Sequence, residues 1–234
     1  TMVNSTVSYN TSSNAYGGGG IFLWKFACAP DKPVANISFS TIFENQNTSG
    51  TTQNGDPYGP GYAITAAFGN PGDVVVKNSI LASPTRAFFP ASACYGALPA
   101  SGGHNLTGDD SCGFNGPGDL INTNPLLQAY ANNGGPTRTH LPMASSPAID
   151  AVPAAFCSTV SGDPVTTDQR GFMRPQGAAC DTGSVEVTPC SQEVTIPSTA
   201  GPWSQDLNPG FNYGVHDNAA PVVIGTSPRR CGET

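Results

Sequence analysis

The chain has 234 residues, of which only 11% are charged, against about 25% in an ordinary globular chain. Gly (28) and Pro (22) are abundant, and the net charge of −7 disfavours a nucleic-acid or anionic-membrane partner. Regularly spaced aliphatic runs such as VVVKNSIL argue against a disordered chain. No apolar run reaches the roughly 18 residues of a membrane span, so no membrane insertion is expected.

Three similar segments recur along the first third of the chain. STV, STI and SIL begin at Ser5, Ser40 and Ser79, with spacings of 35 and 39 residues. Short β-forming segments separated by Gly-, Asn- and Pro-rich turns are typical of the coils of a parallel β-helix, a solenoid. Strand alternation then predicts a set of inward-facing side chains. The set is Val3, Thr6 or Val7, Ile37, Phe39, Ile42, Val74, Val76 and Ile80.

Asparagines follow several of these strands. Asn10, Asn45 and Asn78 either stack as a ladder at equivalent turns or serve independently as turn formers. Both interpretations fit the spacing.

Coils of this length must carry inserted loops, and two are visible at 26–33 and 44–61. Loops on a solenoid are where recognition usually occurs. Tyr58 and Tyr62 beside the second loop either present flat ring faces to a sugar or pack against the body of the protein.

Residues 116–186 are dense in turn-forming pairs. The chain reads GDLINTNPLLQAYANNGGPTRTHLPMASSPAIDA from Gly118, then TTDQRGFMRPQG from Thr166 and CDTGSVEV from Cys180. Asn-Pro, Gly-Gly-Pro, Ser-Pro and Arg-Pro breaks leave no room for a long helix, which predicts a rigid, turn-rich cap. The sequence of these segments resembles the C-terminal end of secreted bacterial right-handed parallel β-helix proteins of the choice-of-anchor Q type.

The resemblance covers about residues 1–187 and implies an all-β fold, a right-handed parallel β-helix with a turn-rich C-terminal cap. We expect coils with loop insertions at 1–93 and disulfide-bearing last coils and the cap at 94–187. Residues 188–234 fall outside the resemblance, and their strand-forming segments predict an extended β-rich tail. The resemblance also implies Cys94–Cys112 and Cys157–Cys180 disulfides, and a structural network of Asp150, Asp168, Arg170 and Arg174 in the cap. Such proteins resemble surface and adhesive scaffolds.

Seven cysteines suggest an oxidising, extracellular compartment. We expect Cys190 and Cys231 to fix the tail, leaving Cys28 unpaired or available to another molecule. The tail carries a considerable apolar surface that needs a partner. The candidate assembly residues are Trp203, Phe211, Tyr213, Val222, Val223 and Ile224.

The sequence offers little that is typical of catalysis. Residues 1–83 contain only Asp31, Glu44, Asp56 and Asp73 as acidic groups, and these do not recur at the coil spacing, as a polysaccharide hydrolase or lyase would need. No cofactor is expected, although Asp109, Asp110 and Asp119 could hold Ca²⁺ if they are not simply turn formers. Five N-x-S/T sequons are candidates for glycosylation: Asn4, Asn10, Asn36, Asn47 and Asn105.

These observations predict a secreted, non-enzymatic structural protein of the cell surface. A solenoid exposes unpaired backbone groups at an uncapped end. The cap at 116–187 predicts a closed C-terminal end, whereas VNSTVSYN begins a coil at once, which implies that preceding coils or another subunit cover it. We therefore expect head-to-tail self-assembly into a homo-oligomer or filament. The alternatives are a monomeric adhesin or glycan-binding module and, less favoured, a polysaccharide lyase or hydrolase.

Overall fold

A computed structural model describes residues 1–13, 18–24, 34–48, 62–67, 73–83 and 92–187. Thr1–Thr188 form one compact unit. Within the described ranges the regular structure is short strands and a single 3-10 helix, Ala154–Phe156. The strands are β1 (Met2–Val3), β2 (Thr6–Ser8), β3 (Thr11–Ser12), β4 (Ile21–Trp24), β5 (Ala35–Ser38), β6 (Thr41–Phe43), β7 (Gln46–Asn47), β8 (Ile64–Ala67), β9 (Val74–Lys77), β10 (Ile80–Ala82), β11 (Cys94–Gly96), β12 (Ala100–Ser101) and β13 (Leu106–Thr107).

All the pairings between these strands are parallel, in four sheets ordered β1-β5-β9-β12, β2-β6-β10-β13, β3-β7 and β4-β8-β11. Each strand therefore pairs with its counterpart one turn later in the chain. Thr6 lies beside Thr41, and Thr41 beside Ile80, so the predicted repeat of 35 and 39 residues is the observed register. This is the pairing of stacked coils, consistent with a parallel β-solenoid. We number the coils 1 (β1–β4), 2 (β5–β8), 3 (β9–β11) and 4 (β12–β13).

The turn between the first two strands of each coil uses a left-handed residue. Asn4, Phe39, Asn78 and His104 have φ of 47°, 45°, 53° and 55° and follow one another from coil to coil. We call them the turn row. Asn adopts this conformation readily, whereas it is rare for a bulky residue such as Phe. Surrounding contacts must therefore hold Phe39 there.

The interior of the coils is apolar. Its main cluster includes Ile37, Ile42, Val74 and Val76, all predicted as inward-facing, and Val7 rather than Thr6 packs against it. Three other predicted positions do not join this cluster. Phe39 is buried with Val152, Val165 and Cys180, with Val3 packed against them, and Ile80 is buried with Phe43, Leu106 and Ala148.

The second and third clusters arise because residues 124–187, which we call the strap, lie along the flank of the stack. The strap contacts every coil. In coil 1, Asn4 donates a hydrogen bond to Thr167 O and Thr6 donates one to Gln169 Oε1. In coil 2, Thr41 Oγ1 accepts a hydrogen bond from Ser184 N, and in coil 3, Lys77 Nζ donates one to Ser158 Oγ. In coil 4, His104 O accepts a hydrogen bond from Thr182 Oγ1.

The expected end cap is thus a lateral cover. The end of coil 4 is closed by a shorter segment, 116–123, which precedes the strap. Leu120 bridges Leu106 in parallel, and His104 N donates to Pro117 O at 2.8 Å. The predicted cap from 116 to 187 therefore divides into an end cover and a strap.

Candidate functional site

A buried ionic network lies within the strap. Both oxygens of Asp168 accept hydrogen bonds: Oδ1 from Arg170 N (2.7 Å) and Phe172 N (3.0 Å), and Oδ2 from Arg170 Nε (2.9 Å) and Glu186 N (2.9 Å). Arg170 also donates to the carbonyls of Asn133 and Glu186. These contacts fix the turn around Gly171.

Arg174 joins this network to the coils. Its guanidinium donates to Glu186 Oε2 (2.8 Å), Asp181 O (2.9 Å) and Gly183 O (2.7 Å), and lies 4.5 Å above the ring of Phe39. The Arg174 and Glu186 side chains are fully buried. This contact explains how Phe39 keeps its left-handed conformation, since the ring is held between the coil and a cation.

Asp181 completes the network. Its Oδ1 accepts from Asp150 N (2.8 Å) and its Oδ2 from Val187 N (2.6 Å), while Asp150 Oδ1 accepts from Ala179 N (3.0 Å). The four residues expected to form a cap network therefore lie together, although Asp150 is connected through Asp181. Glu186 and Asp181 were not predicted as members, and their only signal was the acidic CDTGSVEV segment.

The electrostatics of the network follow from its charge. Asp150 is exposed, so the inner part of the network consists of Asp168, Asp181 and Glu186 facing Arg170 and Arg174. With every one of these five groups ionised, its net charge is −1. Burial, together with the nearby Glu186, raises the pKa of Asp181 to about 7. Burial also raises the pKa of Glu186 and lowers that of Arg174. A proton taken up by Asp181 makes this inner part neutral, and the buried, hydrogen-bonded carboxyl groups hold the strap in place.

The carboxylates considered for Ca²⁺ are bonded to protein donors. Asp109 accepts from Ala93 N (2.9 Å), Ser111 N (2.9 Å) and Tyr62 Oη (3.2 Å). Asp119 accepts from Asn105 N (2.8 Å) and Gly116 N (2.7 Å) within the end cover. In the part of the chain that the structure describes, no group of three His, Cys, Asp or Glu residues could hold a metal ion. Asp109 and Asp119 therefore act as turn formers, because their carboxylates accept hydrogen bonds from backbone N–H groups.

The sequons differ in accessibility. Asn105 is 1% exposed, and its amide donates to Val76 O and to Asp119 Oδ1, so a glycan on this nitrogen is incompatible with the fold. The Asn4 amide donates to Thr167 O at 2.7 Å in the strap. Asn10 is exposed, and Asn36 and Asn47 are half-buried. Asn36 precedes the buried Ile37 on β5, so its side chain faces away from the interior.

Asn10 and Asn45 stack, with Asn10 Nδ2 donating to Asn45 Oδ1 at 2.9 Å. Asn78 belongs instead to the turn row, so the predicted three-member ladder is wrong.

Cys94–Cys112 and Cys157–Cys180 are disulfide-bonded, as the resemblance implied. Among the described residues, no helix could cross a membrane.

Several predicted site residues lie outside the described residues: Cys28, Cys190, Cys231, Tyr58, Trp203, Phe211, Tyr213, Val222, Val223 and Ile224. Tyr62 is described, and it is only 3% exposed, so the suggestion that it presents its face to a sugar is wrong.

An aromatic cluster that sequence reasoning missed lies where the strap meets coil 1. Tyr9 (56% exposed) and Tyr130 (38% exposed) pack edge to face, with ring centroids 6.1 Å apart. Beneath them, His140 contacts both rings and Phe43. No signal in the sequence connects Tyr9 with Tyr130, because the two are brought together only by the strap.

His140 is held by both ring nitrogens. Nδ1 lies 2.8 Å from Gln128 O, and Nε2 lies 2.8 Å from Ser8 Oγ. Burial lowers the pKa of His140, against opposing effects of the Gln128 carbonyl and of Glu44. The neutral ring donates from Nδ1 to the Gln128 carbonyl, since a carbonyl can only accept. Ser8 Oγ lies 2.8 Å from both Nε2 and Phe43 O, so these two acceptors compete for its one proton.

Coil 1 provides a second candidate surface. Among the strands that the structure describes, those of coil 1 (β1, β2, β3 and β4) are each the end strand of a sheet. Met2, Val7, Ile21 and Leu23 of this coil are only partly buried against the interior cluster. The opposite end of the stack is covered by residues 116–123.

Comparison of the chain with protein-family models, with curated proteins and with solved structures finds no match.

Proposed function

We propose that this chain is a secreted, non-enzymatic structural protein of the cell surface that assembles head to tail, with coil 1 of one copy accepting strands from the 188–234 tail of another. The observation that carries the proposal is the asymmetry of the stack. In the described ranges, coil 1 supplies an end strand of every sheet, whereas coil 4 is covered by residues 116–123 of its own chain. An uncovered strand edge is a template for pairing with another chain.

The proposed architecture is a right-handed parallel β-helix of the choice-of-anchor Q type. Parallel strands of one sheet joined by a crossover are right-handed in about 98% of cases, and each coil here makes such connections. The disulfides and the buried network lie within residues 1–187, which the resemblance covers, and they support it. Two disulfides also support an oxidising, extracellular location.

The edge of β3 shows how coil 1 could accept a strand. Asn10 O and Ser12 O accept hydrogen bonds from Gln46 N and Thr48 N of coil 2. Because backbone groups of alternate residues point to opposite sides of a strand, the N–H and C=O of Thr11 point away from coil 2. Thr11 is also exposed. It can therefore bond an added strand without any change in coil 2.

The same alternation applies to the other two strands at this corner of coil 1. Asn4 N donates to Ser38 O, and Ser5 O accepts from Thr41 N. The backbone groups of Val3 and Thr6 therefore point away from coil 2. Coil 1 thus presents outward-pointing backbone groups on three successive strands, β1, β2 and β3. This arrangement favours a contact in which several strands pair over one in which a single strand pairs.

The experiment compares wild type with Thr11→Pro and Thr11→Val by sedimentation velocity and negative-stain electron microscopy, with and without reductant. Proline removes the outward N–H, whereas valine keeps it and leaves the exposed position otherwise intact. We expect wild type and Thr11→Val to form filaments or oligomers and Thr11→Pro to disperse.

Deletion of residues 189–234 should also disperse the assembly, because it removes the segment proposed to supply the added strands. The deletion variant should still fold, since Thr1–Thr188 form a compact unit of their own. A wild-type protein that remains monomeric at high concentration would contradict the proposal. Assembly that survives both the proline variant and the deletion would contradict it equally.

A further inference from the structure

We propose that Tyr9 and Tyr130 form a binding subsite for a sugar ring of a neutral polysaccharide. The subsite lies on the flank of coil 1, where the strap meets the coil, and the inference does not depend on the proposed assembly. Tyr9 and Tyr130, which are 56% and 38% exposed, lie there with their ring centroids 6.1 Å apart. Pockets and platforms of aromatic rings with a few placed polar groups are the usual composition of small-ligand sites.

The two rings are held in position before any ligand arrives. Tyr9 occupies a left-handed turn (φ 58°) directly after β2, which sends its side chain out of the coil. Its ring contacts Tyr130 at 6.1 Å and His140 at 5.7 Å between centroids. His140 is 1% exposed and bonded at both nitrogens, so it forms a fixed base for both rings. A preorganised platform loses little conformational entropy on binding.

The chemistry of the rings suits a pyranose. The face of a tyrosine ring is negative and its edge positive, and the C–H groups on one face of a sugar ring are weakly positive and apolar. A sugar can therefore lie against Tyr9 or Tyr130 while its hydroxyl groups point sideways to polar neighbours.

Such neighbours are present on the adjacent coil. Because Ser8 pairs with Phe43, the next residues, Tyr9 and Glu44, lie side by side on neighbouring coils, roughly 4.8 Å apart. Both have left-handed φ, 58° and 55°, so their side chains leave equivalent turns in the same direction. Glu44 thus places a carboxylate, a group that accepts hydrogen bonds from hydroxyl donors, on the coil next to Tyr9.

The charge around the subsite selects the ligand. Glu44 and the net charge of −7 repel anionic polymers such as polyuronates. Exposed neighbours on the same two coils, Asn10 and Gln46, are neutral amides that pair with hydroxyl groups. These polar surroundings favour a polyhydroxylated ligand over an apolar protein surface.

The test is native gel electrophoresis of the full chain through gels containing a soluble neutral polysaccharide (β-glucan, galactomannan or xyloglucan) or anionic polygalacturonate. We expect retardation by at least one neutral polymer and none by polygalacturonate. Tyr9→Ala and Tyr130→Ala should each weaken binding at least about tenfold, because each removes a stacking face. Tyr130→Phe keeps the face and should stay within about threefold of wild type.

Phe22→Ala is the matched control, because Phe22 is an exposed aromatic on β4, in a different sheet. It should bind as wild type does, and circular dichroism should show that every variant is folded. Retardation by no neutral polymer would overturn the proposal, as would equal binding by Tyr9→Ala and wild type. Loss of self-association in Tyr9→Ala without any polysaccharide binding would identify the pair as a protein contact and would also overturn it.

Discussion

We expect the folded chain to lose stability as the pH rises from 5 to 7.5, because of Asp181. Burial raises the pKa of its carboxyl to about 7 from the ordinary 3.8. In the unfolded chain the group is already ionised at pH 5, whereas the folded chain retains the proton until the pH approaches 7. The folded state therefore binds more protons in this window, so its advantage is present at acid pH and is lost as the pH rises through the folded pKa.

The magnitude follows from the two pKa values. Each pH unit between them corresponds to about 1.4 kcal/mol, so the gap between 3.8 and about 7 amounts to about 4 kcal/mol in total. The fraction that falls between pH 5 and 7.5 is roughly 2 to 3 kcal/mol. Burial raises the pKa of Glu186, which adds in the same direction. Burial lowers the pKa of His140, so the folded chain binds fewer protons at this ring than the unfolded chain does. The His140 contribution to stability therefore falls as the pH falls, opposite to that of Asp181.

The assay is urea unfolding at fixed ionic strength across this pH range, for wild type, Asp181→Asn and Asp110→Asn. Asparagine cannot ionise, so Asp181→Asn should flatten the pH dependence, even though it loses an acceptor and about 1 to 3 kcal/mol of stability at acid pH. Asp110 is exposed, and its variant should keep the wild-type slope. A wild-type free energy of unfolding that rises with pH, or an unchanged slope in Asp181→Asn, would refute the reasoning.

Three further changes, two in the strap and one at the Cys94–Cys112 disulfide, are tested by thermal or urea unfolding. Arg174→Met leaves the carboxylate of Glu186 buried without its cation and should cost about 3 to 5 kcal/mol. Gly183→Ala should be clearly more destabilising than Gly162→Ala. Both glycines have left-handed φ (98° and 94°), but only at Gly183 would the added Cβ meet a neighbour at 2.8 Å. Cys94→Ser opens a loop between residues 18 apart and should cost about 3 kcal/mol. Equal losses for the two glycine variants, or unchanged stability in either other variant, would count against these contacts.

The coil register could be predicted because it repeats. Ser5, Ser40 and Ser79 begin equivalent strands, and parallel stacking requires equivalent residues at equal positions, so local similarity was sufficient. The same alternation identified Ile37, Ile42, Val74 and Val76 as interior residues, as the structure bears out.

The strap could not be predicted in this way. Phe39 and Ile80 were expected inside the coils because they are apolar. Phe39 is instead buried by Val152, Val165 and Cys180, more than 100 positions further along the chain, and Ile80 lies in a cluster that includes Ala148 of the strap. No period in the sequence reports such a contact. The resemblance identified Asp168, Arg170 and Arg174 as a network, but not that Arg174 covers Phe39 of coil 2.

The aromatic pair shows the same limit. Tyr9 was part of an ordinary repeat segment and Tyr130 part of a turn-rich run, and only the fold joins them. Conversely, Tyr62 looked available because it follows a Gly-rich loop, whereas its hydroxyl donates to Asp109 in the body of the protein. Exposure of a single aromatic depends on distant packing, which neither composition nor local pattern records.

The central claim is that coil 1 presents an open edge for another copy of the chain. Amide hydrogen exchange tests it most directly, at the outward-pointing N–H groups of Val3, Thr6 and Thr11. We expect these amides to exchange quickly in dispersed protein and to become protected on assembly, while the paired amide of Thr41 in coil 2 is protected in both states. Assembly that leaves the three coil 1 amides in fast exchange would contradict the claim.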